Sequence, residues 1–437
     1  MQQKKAQASY AVVGGRMLRK GYTTGTCAAA AASAACRMLL TGERLRESVV
    51  VLPGGQRAVL SLDQVRMDKD RVSCAVTKDG GDDPDVTTGL AIEAEASFCE
   101  PGADGKDAGG VLRKEAGEEK AGGGHDFPAD EGTNDPFSPW YEGLYIRIEG
   151  GDGVGRVTAE GLSVPVGEAA INPVPRRMIK ENVARVIRTC EEEKLHSGKS
   201  GIRLLFRIEG GSETAKKTFN PKLGIVGGLS IIGTTGIVEP MSEKALVETV
   251  KIMIDKAFLL DPENILITPG NYGEEFCRND LRLDLGKAVQ ISNYVGEALD
   301  YIRFKGFRRV LFVGHTGKLI KTGAGIMNTH SSYADGRMEI IAAHAGAAGA
   351  DAETVRRILD SITTDQALGQ VNHLEQAASI KASLVKACLS HLRHRLGEDR
   401  ELELVMFTHK RDCIMQSTGA EAMIRYFRWE DSGTDDE

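Results

Sequence analysis

The stretch Gly21-Tyr22-Thr23-Thr24-Gly25-Thr26-Cys27 leads directly into a run of small residues, Ala28-Ala29-Ala30-Ala31-Ala32-Ser33-Ala34-Ala35. This pattern predicts a glycine- and threonine-rich loop that opens a helix, whose first turn has backbone N–H groups without partners inside the helix. Such N–H groups, the threonine hydroxyls and the positive end of the helix dipole suit an anion. The alanines allow another backbone or a flat ligand to come close. We therefore interpret the loop as a ligand site.

The size and composition of the chain indicate a globular protein with more than one domain. It has 437 residues, of which 41% are hydrophobic. No apolar run is long enough to span a membrane, and residues 1–5 lack the apolar stretch of a signal peptide. The eight cysteines are scattered without a Cys-x-x-Cys pair, so we expect reduced thiols, no zinc site and a cytoplasmic location.

Acidic residues are concentrated in two segments of the chain. Residues 100–142 hold eleven acidic and four basic side chains, and residues 430–437 hold five acidic and no basic ones. The formal net charge of -7 therefore hides a mildly basic body, which suits a polyanionic small molecule. The basic surplus is too small for nucleic-acid binding. Residues 101–139 are rich in Gly, Asp, Glu and Pro, which indicates a flexible insertion, and residues 430–437 form an acidic tail.

The two halves of the chain differ in their hydrophobic patterns. The first half is predicted to contain strands at 72–77 and 144–148, a hairpin at 144–166 and an amphipathic helix at 176–195. The segment Ser197-Gly198-Lys199-Ser200-Gly201 indicates a boundary, which gives domains at 1–198 and 199–429.

In the second half, short apolar strands alternate with helical patterns, which favours a parallel sheet covered on both faces. The predicted strands are 202–208, 223–227, 264–268, 308–313 and 402–407, and the predicted helices are 242–257, 285–303, 336–347 and 376–395. Ligands of such sheets bind beyond the carboxyl ends of the strands.

Two glycine-rich segments resemble nucleotide loops to different degrees. The segment Glu149–Gly155 matches an acid-x-Gly-x-Gly-x-Gly pattern, but strand and turn residues follow it, so a plain hairpin is favoured. The segment Ile225–Gly236 precedes a predicted helix, and it offers Gly227, Gly228, Ser230, Gly233, Thr234 and Thr235 to a ligand. We favour a ligand loop there over a long connection.

Two further strand ends carry candidate side chains. After strand 264–268, Gly270 and Asn271 could meet a ribose or adenine and Tyr272 could stack, although Pro-Gly-Asn is equally an ordinary turn. After strand 308–313, His315 and His330 are the best-placed residues for proton transfer, and Lys318 could meet a carboxylate. A structural role for these histidines is equally compatible with the sequence.

Two polar clusters in the first half leave two readings open. The four aspartates between Asp79 and Asp85, Asp83 among them, could hold a cation or take a proton, although turn capping is the commoner reason for such a cluster. Arg176 and Arg177 follow a proline-rich entry to a helix. They could bind carboxylates bidentately or be solvated residues of the first turn.

Taken together, these segments resemble the cobalt-precorrin-5B (C-1)-methyltransferase family, the CbiD type of anaerobic cobalamin biosynthesis. The blocks run in order over residues 17–345, and neither the insertion nor the tail overlaps them. The matching blocks are 21–27 with its alanine run, 78–86, 151–157, 170–176, 218–242, 269–276 and 314–330.

The resemblance implies an α+β N-terminal domain beside a Rossmann-like α/β domain with a mostly parallel sheet. It also implies methyl transfer from S-adenosylmethionine to C-1 of a cobalt-precorrin, with the cobalt carried by the substrate and no protein-bound metal. On that basis we expect the loops at 227–236 and 270–273 to hold the cofactor, so Gly233→Val should weaken cofactor binding without unfolding the protein. Thr23, Thr24, Gly25, Thr26, Arg176 and Lys318 would face the macrocycle, and Asp83, His315 and His330 are candidates for proton transfer.

Two other functions remain open at this point. A nicotinamide-dependent reductase of the same pathway would also use a glycine-looped parallel sheet. A corrinoid carrier without catalytic activity would bind a tetrapyrrole independently of S-adenosylmethionine. The oligomeric state is open as well, a homo-oligomer included, and no nucleic-acid or membrane partner is expected.

Overall fold

The computed structural model describes residues 9–13, 15–101, 135–193, 201–411 and 414–428. The chain divides into two compact units, Met1–Ser242 and Glu243–Glu437. The predicted acidic tail, nearly all of the predicted insertion and the residues around the predicted 198/199 boundary lie outside the described residues. Within the described part of the chain, no helix has both the length and the apolar character needed to cross a membrane.

The described elements of the first unit are mostly strands. The strands are β1 (Tyr10–Val13), β2 (Arg16–Arg19), β3 (Gly21–Tyr22), β4 (Glu47–Val51), β5 (Arg57–Ser61), β6 (Asp63–Met67), β7 (Arg71–Thr77), β8 (Ala91–Cys99), β9 (Trp140–Tyr141), β10 (Leu144–Gly150), β11 (Gly153–Val154), β12 (Arg156–Val157), β13 (Gly201–Ile208), β14 (Ile225–Val226), β15 (Gly228–Leu229) and β16 (Ile237–Val238). The helices are α1 (Thr24–Thr41), α2 (Pro173–Glu192), α3 (Gly211–Ala215) and α4 (Asn220–Leu223).

A six-stranded sheet in the order β6-β7-β8-β13-β10-β9 organises this unit. Its neighbours are antiparallel except for β10 and β13, which are parallel. Helix α1 packs against β7, β8 and helix α2. The run from Ala28 to Ala32 is fully buried, because side chains this small allow the helix to be surrounded closely on all sides. The helix predicted from the alanine run is therefore the centre of the core of this unit.

The second unit alternates strands and helices. Its described strands are β17 (Asn264–Thr268), β18 (Ala288–Gln290), β19 (Arg309–His315), β20 (Glu401–Phe407) and β21 (Ile414–Gln416). Its described α-helices are α5 (Glu243–Leu260), α6 (Asn271–Asn279), α7 (Val295–Lys305), α8 (Thr316–Leu319), α9 (Arg337–Ala347), α10 (Ala352–Leu359), α11 (Thr364–Asn372), α12 (Ala377–Leu396) and α13 (Ala420–Ile424).

The sheet of the second unit has the order β18-β17-β19-β20-β21. Strands β17 to β20 pair in parallel, and β21 is an antiparallel edge strand. In β19, Leu311 and Val313 pack into a cluster with residues of α6 and α13, while Val310 and Phe312, on the opposite face, are also fully buried. Both faces of this central strand are therefore covered, which explains its continuous apolar sequence.

Several sequence predictions need correction. Strand 202–208 exists as β13, but it pairs with β8 and β10 of the first unit, and 223–227 contributes β14, which pairs antiparallel with β12. The second compact unit consequently begins at Glu243 and not at residue 199. The predicted helix 285–303 is α-helical only from Val295 onward, because Leu285–Lys287 form a short 3-10 helix and Ala288–Gln290 form the edge strand β18.

The segment after Glu149 also differs from the prediction. As predicted, no helix follows its glycines, but the segment is not a hairpin with β10. Strand β11 instead pairs in parallel with β15, and β12 pairs with β14. Long-range pairing of these two-residue strands has no periodic sequence signal.

Candidate functional site

The start of α1 is bonded internally in the structure. The side chain of Thr23 caps the helix and accepts a hydrogen bond from the Thr26 N–H at 3.2 Å. The Gly25 N–H donates to the Ile232 carbonyl at 2.9 Å. Thr24 and Thr26 are 3% and 0% exposed. The N–H groups of Gly25 and Thr26, which the sequence analysis assigned to an anion, therefore already have partners, and that reason for a substrate contact is wrong.

The glycine loop at 227–236 lies against this same helix start. The Ile232 N–H donates to Thr24 Oγ1 at 2.9 Å, and Thr26 Oγ1 donates to the Gly236 carbonyl at 2.6 Å. The loop therefore belongs to the first unit. Its assignment to the cofactor assumed that it follows a strand of the parallel sheet, and it does not.

Several of the glycines in this loop have structural reasons to be glycine. A Cβ on Gly233 would lie 2.2 Å from Thr23 Oγ1, so Gly233→Val would displace the cap of α1 and is not the fold-neutral change expected from the sequence. A Cβ on Gly228 would lie 2.2 Å from the Gly153 carbonyl oxygen, whereas nothing lies within 4 Å of one on Gly227. Ser230, Thr234 and Thr235 stay predictions for a ligand contact, the last two on exposed positions.

Arg176 is engaged within the first unit. Its side chain is 3% exposed, and its Nε donates to the Ile171 carbonyl at 2.9 Å. Its Nη2 lies 3.1 Å from Glu168 Oε2, and its guanidinium stacks over Phe137 at 4.6 Å from the ring centre. Burial lowers the pKa of this guanidinium. These contacts account for Arg176 as a buried structural residue whose charge is paired with the Glu168 carboxylate.

The aspartates between Asp79 and Asp85 fix turns and ion pairs. Asp79 binds the Arg19 guanidinium at 2.6 and 2.7 Å, and Asp85 binds the nearly fully buried Lys78 at 2.8 Å. Asp83 Oδ1 accepts the Met241 N–H at 2.8 Å. Asp79 and Asp85 cap local turns by accepting the Gly81 and Thr87 N–H groups, whereas Asp82 and Asp83 each accept a backbone N–H from a distant part of the chain. No group of three metal-binding side chains occurs among the described residues.

A cleft of about 490 Å³ lies in the second unit, at the carboxyl ends of its parallel strands. Strand β17 leads to Tyr272, β19 ends at His315, and β20 is followed by His409. This is the edge where ligands of parallel sheets bind. The lining residues are Tyr272, His315, Gly317, Arg337, Thr363, Thr364, Asp365 and His409.

His315 and Tyr272, both singled out from the sequence, line this cleft, and His315 is the one predicted for proton transfer. Nδ1 of His315 accepts a hydrogen bond from the Gly317 N–H at 3.0 Å, so the proton of the neutral ring is on Nε2. Nε2 lies 3.6 Å from Asp365 Oδ1, which is close without being a hydrogen bond. Burial lowers the pKa of His315, against the opposing effect of the Asp365 carboxylate.

Polar atoms without partners are concentrated around this cleft. His315 Nε2, Asp365 Oδ1 and Thr364 Oγ1 are buried atoms without a hydrogen-bond partner, and so is Oγ1 of the neighbouring, fully buried Thr316. Asp365 Oδ2, in contrast, accepts the His409 N–H at 2.8 Å. A buried polar atom without a partner costs about 1–3 kcal/mol, so a cluster of them marks a place where a ligand or water completes the bonding.

The other predicted residues of the second unit do not line the cleft. Asn271 accepts a hydrogen bond from Gln290 at 2.8 Å beside Gly270, and Lys318 donates to the Pro269 carbonyl at 3.2 Å. His330 is exposed, and its Nδ1 lies 2.6 Å from Ser332 Oγ. Their roles stay predictions.

Sequence reasoning missed Asp365, His409, Thr363, Thr364 and Arg337. His409 follows the apolar strand 402–407, so the strand-end rule that found His315 could have found it as well. Asp365 lies at the start of α11, which follows helix α10 in the chain and does not follow a strand. Its sequence signal is only that of a helix N-terminus. Nothing local indicates that this turn folds back to the sheet edge.

The bonding of His315 predicts its protonation behaviour. We expect the neutral ring with a proton on Nε2 at pH 7 and a pKa below that of an ordinary histidine, because burial disfavours the cation. The charged groups around it are Asp365, His409 and Arg337. Long-range ¹H–¹⁵N spectra of histidine-labelled protein, assigned with His315→Gln, measure this. A proton on Nδ1 at pH 7 would contradict the described geometry.

Comparison with known proteins shows the family to which this sequence belongs. The family model CbiD matches residues 12–122 and 131–240, and the model of the CbiD C-terminal domain matches residues 328–418. The cobalt-precorrin-5B C(1)-methyltransferase of Ruminiclostridium cellulolyticum is 42% identical over 401 residues, 91% of each chain. The protein of that name from Clostridioides difficile is 35% identical over 96% of this chain and 99% of its own.

A crystal structure of the cobalamin biosynthesis protein cbiD from Archaeoglobus fulgidus matches with a TM-score of 0.34 and 26% identity, over 74% of this chain and 86% of that one. The family models cover more than half of the sequence in two blocks of the first unit and one of the second. The chain belongs to the CbiD family.

Proposed function

We propose that this protein transfers a methyl group to C-1 of cobalt-precorrin-5B, giving cobalt-precorrin-6A in cobalamin biosynthesis. The observation that carries the proposal is the 42% identity to a cobalt-precorrin-5B C(1)-methyltransferase over 91% of both chains. Identity on this scale extends through both compact units, so it is not the likeness of one shared module.

In this proposal S-adenosylmethionine is the methyl donor, and the second unit is the Rossmann-like part of the protein. Four parallel strands with a covered central strand and a cleft at their carboxyl ends support that assignment. The unpartnered polar atoms at the cleft fit a donor that carries hydroxyl and amino groups.

The chemistry needs alignment more than activation. The bond from C-1 to the methyl carbon forms as the sulfur–methyl bond breaks, and the sulfur leaves as a neutral thioether. Holding the reacting atoms in line can lower such a barrier by roughly 7–11 kcal/mol. The protein must therefore bind and orient two substrates and exclude water. Removal of a proton from the product is a separate step.

Three buried cysteines, Cys27, Cys277 and Cys388, are unsuited to carry a methyl group, which supports direct transfer over a methylated cysteine intermediate at any of them. Burial raises the pKa of Cys27 and of Cys277 to about 12, and that of Cys388 to about 11. Only the thiolate is an effective nucleophile, so these buried thiols are inert at neutral pH.

Lys318 is the residue we retain for a substrate carboxylate in the second unit. Its single described hydrogen bond goes to the Pro269 carbonyl, which leaves two of its three ammonium N–H donors available. Burial and the nearby Lys321 lower its pKa, so an anion that paired with it would offset that cost.

The proposal is tested by incubating the full chain with methyl-¹³C S-adenosylmethionine and cobalt-precorrin-5B. We expect one labelled methyl per product, matched by one S-adenosylhomocysteine, and a ¹³C signal assigned to C-1. Reactions without protein and without cobalt-precorrin-5B are the controls. A folded preparation that binds both substrates and releases no methylated product would refute the proposal.

The same experiment separates the two alternatives. A reductase would oxidise a reduced nicotinamide cofactor and add no methyl. A carrier would bind cobalt-precorrin-5B with equal affinity in the presence and absence of S-adenosylhomocysteine, and would form no product.

A further inference from the structure

We propose that the cleft of the second unit binds S-adenosylmethionine, with Asp365 and Thr364 as its hydrogen-bonding groups and Tyr272 as its stacking surface. In this arrangement His315 is a positioning residue for Asp365. The inference rests on the proposed function, since it names the part of the chain that holds the methyl donor.

The first argument is the polar bonding of the cleft. Thr364 is 3% exposed, lines the cleft, and its hydroxyl has no partner. Asp365 uses Oδ2 to accept the His409 N–H and leaves Oδ1 without a partner. One carboxylate oxygen is thus held by the fold, while the other and the adjacent Thr364 hydroxyl are buried beside the cleft without the partners that the hydroxyl or amino groups of a ligand would supply.

The second argument concerns the role of His315. A neutral imidazole has one lone pair, and the Gly317 N–H occupies it at Nδ1. His315 is therefore an N–H donor in this geometry, and its one lone pair is not free to take a proton from a substrate, which argues against a role as base. Its Nε2–H faces Asp365 Oδ1 across 3.6 Å. A Cβ on residue 317 would lie 2.9 Å from Nδ1, so glycine is needed there to let the ring be held in this way.

The third argument is the charge of the cleft. Arg337 is the arginine of the lining, and its guanidinium is bound by Asp335 at 2.7 and 2.8 Å. The Asp365 carboxylate keeps one oxygen unpaired. This balance favours a ligand whose sulfonium and ammonium groups outweigh its single carboxylate, and it disfavours a cobalt-precorrin with its many carboxylate arms. The electrostatics therefore assign the cleft to the methyl donor and not to the macrocycle.

The fourth argument is size and shape. A volume of about 490 Å³ lies in the range of small-molecule sites. Tyr272 is 63% exposed, and its ring stands edge-on to His409 at 5.8 Å between ring centres. An exposed aromatic ring that lines the cleft offers a flat base such as adenine a stacking partner.

The test is calorimetric binding of S-adenosylhomocysteine to the full chain and its variants. Asp365→Asn keeps an oxygen for the His409 N–H, so it should fold normally and bind roughly ten- to a hundredfold more weakly. Asp360→Asn, on an exposed position five residues earlier, is the matched control and should bind as the parent does. Tyr272→Ala should also weaken binding, by roughly tenfold.

Thr364→Val is the variant that best separates an effect on ligand binding from an effect on stability. The hydroxyl has no partner inside the protein, so its removal should leave the midpoint of thermal unfolding unchanged or slightly raised. Binding of S-adenosylhomocysteine should nevertheless fall by roughly fivefold or more. Unchanged binding of S-adenosylhomocysteine in this variant would show that the Thr364 hydroxyl does not contact the ligand.

The role of His315 has a spectroscopic test. The ¹⁵N signal of its Nε2–H should shift in Asp365→Asn and on saturation with S-adenosylhomocysteine, because both change the acceptor that the proton faces. An unchanged signal in both cases would overturn the positioning role.

Two results would overturn the binding inference. The first is that folded Asp365→Asn and Thr364→Val bind S-adenosylhomocysteine as the parent does. The second is that both lose affinity for cobalt-precorrin-5B alone, which would give the cleft to the macrocycle. If the parent binds S-adenosylhomocysteine in this cleft and transfers no methyl, the inference stands and the proposed function fails.

Discussion

Gly153→Ala is expected to prevent the first unit from folding stably. Gly153 has φ of 76°, where a side chain is strained, and a Cβ there would lie 1.9 Å from the Ile208 carbonyl oxygen. Cβ atoms on Gly211 and Gly228 would likewise approach Gly153 to within 2.3 and 2.2 Å. Three backbone segments cross at this point, and none can move away alone. We expect a loss of about 4 kcal/mol or more in the free energy of unfolding.

The matched control for this substitution is Gly227→Ala. Gly227 has nearly the same backbone conformation, with φ of 82°, but nothing lies within 4 Å of an added Cβ. Only the conformational strain applies, so we expect a loss of about 1–2 kcal/mol. Chemical denaturation of both variants measures the difference. Equal losses would show that the crossing has room for a methyl group and would contradict the described packing.

Arg176→Ala should destabilise the protein by about 3 kcal/mol or more. The substitution removes a buried guanidinium and leaves the Ile171 and Ala169 carbonyls and the Glu168 carboxylate without their shared donor. It also removes the stacking on Phe137. Thermal and chemical unfolding measure this loss.

Arg177→Ala is the control one residue further along the same helix. Arg177 is exposed, so its removal should change the free energy of unfolding by less than about 0.5 kcal/mol. Steady-state kinetics distinguish the structural role of Arg176 from a substrate role. If Arg176→Ala unfolds at the midpoint of the parent and only raises the KM for cobalt-precorrin-5B, the guanidinium binds substrate and our structural explanation is wrong.

The glycine-rich segments show how far local patterns can be interpreted. Local patterns predict a plain hairpin around Gly153 and a ligand loop around Gly228. In the structure the two segments pair with each other, and their glycines allow backbones to cross. A glycine-rich pattern indicates that something approaches the backbone closely. It does not indicate whether that is another backbone segment or a ligand, because both require a residue without a side chain.

The histidine at the end of β19 shows the complementary case. An apolar strand that delivers a polar residue to a sheet edge was enough to predict His315 as part of a site, because parallel strands expose their carboxyl ends together. Its partner Asp365 follows a different helix and is fifty residues away along the chain. No periodicity connects the two positions, so only the folded chain could pair them.

The family, the central helix built on alanines and the strands 264–268, 308–313 and 402–407 can be predicted from the sequence, because each depends on local composition or on blocks that match the family. Three facts follow only from the folded chain: β13 belongs to the first unit, the start of α1 is already bonded, and Nδ1 of His315 accepts the Gly317 N–H. These facts depend on which groups share a hydrogen bond, and a donor's partner is fixed by the folded chain and not by its neighbours in sequence.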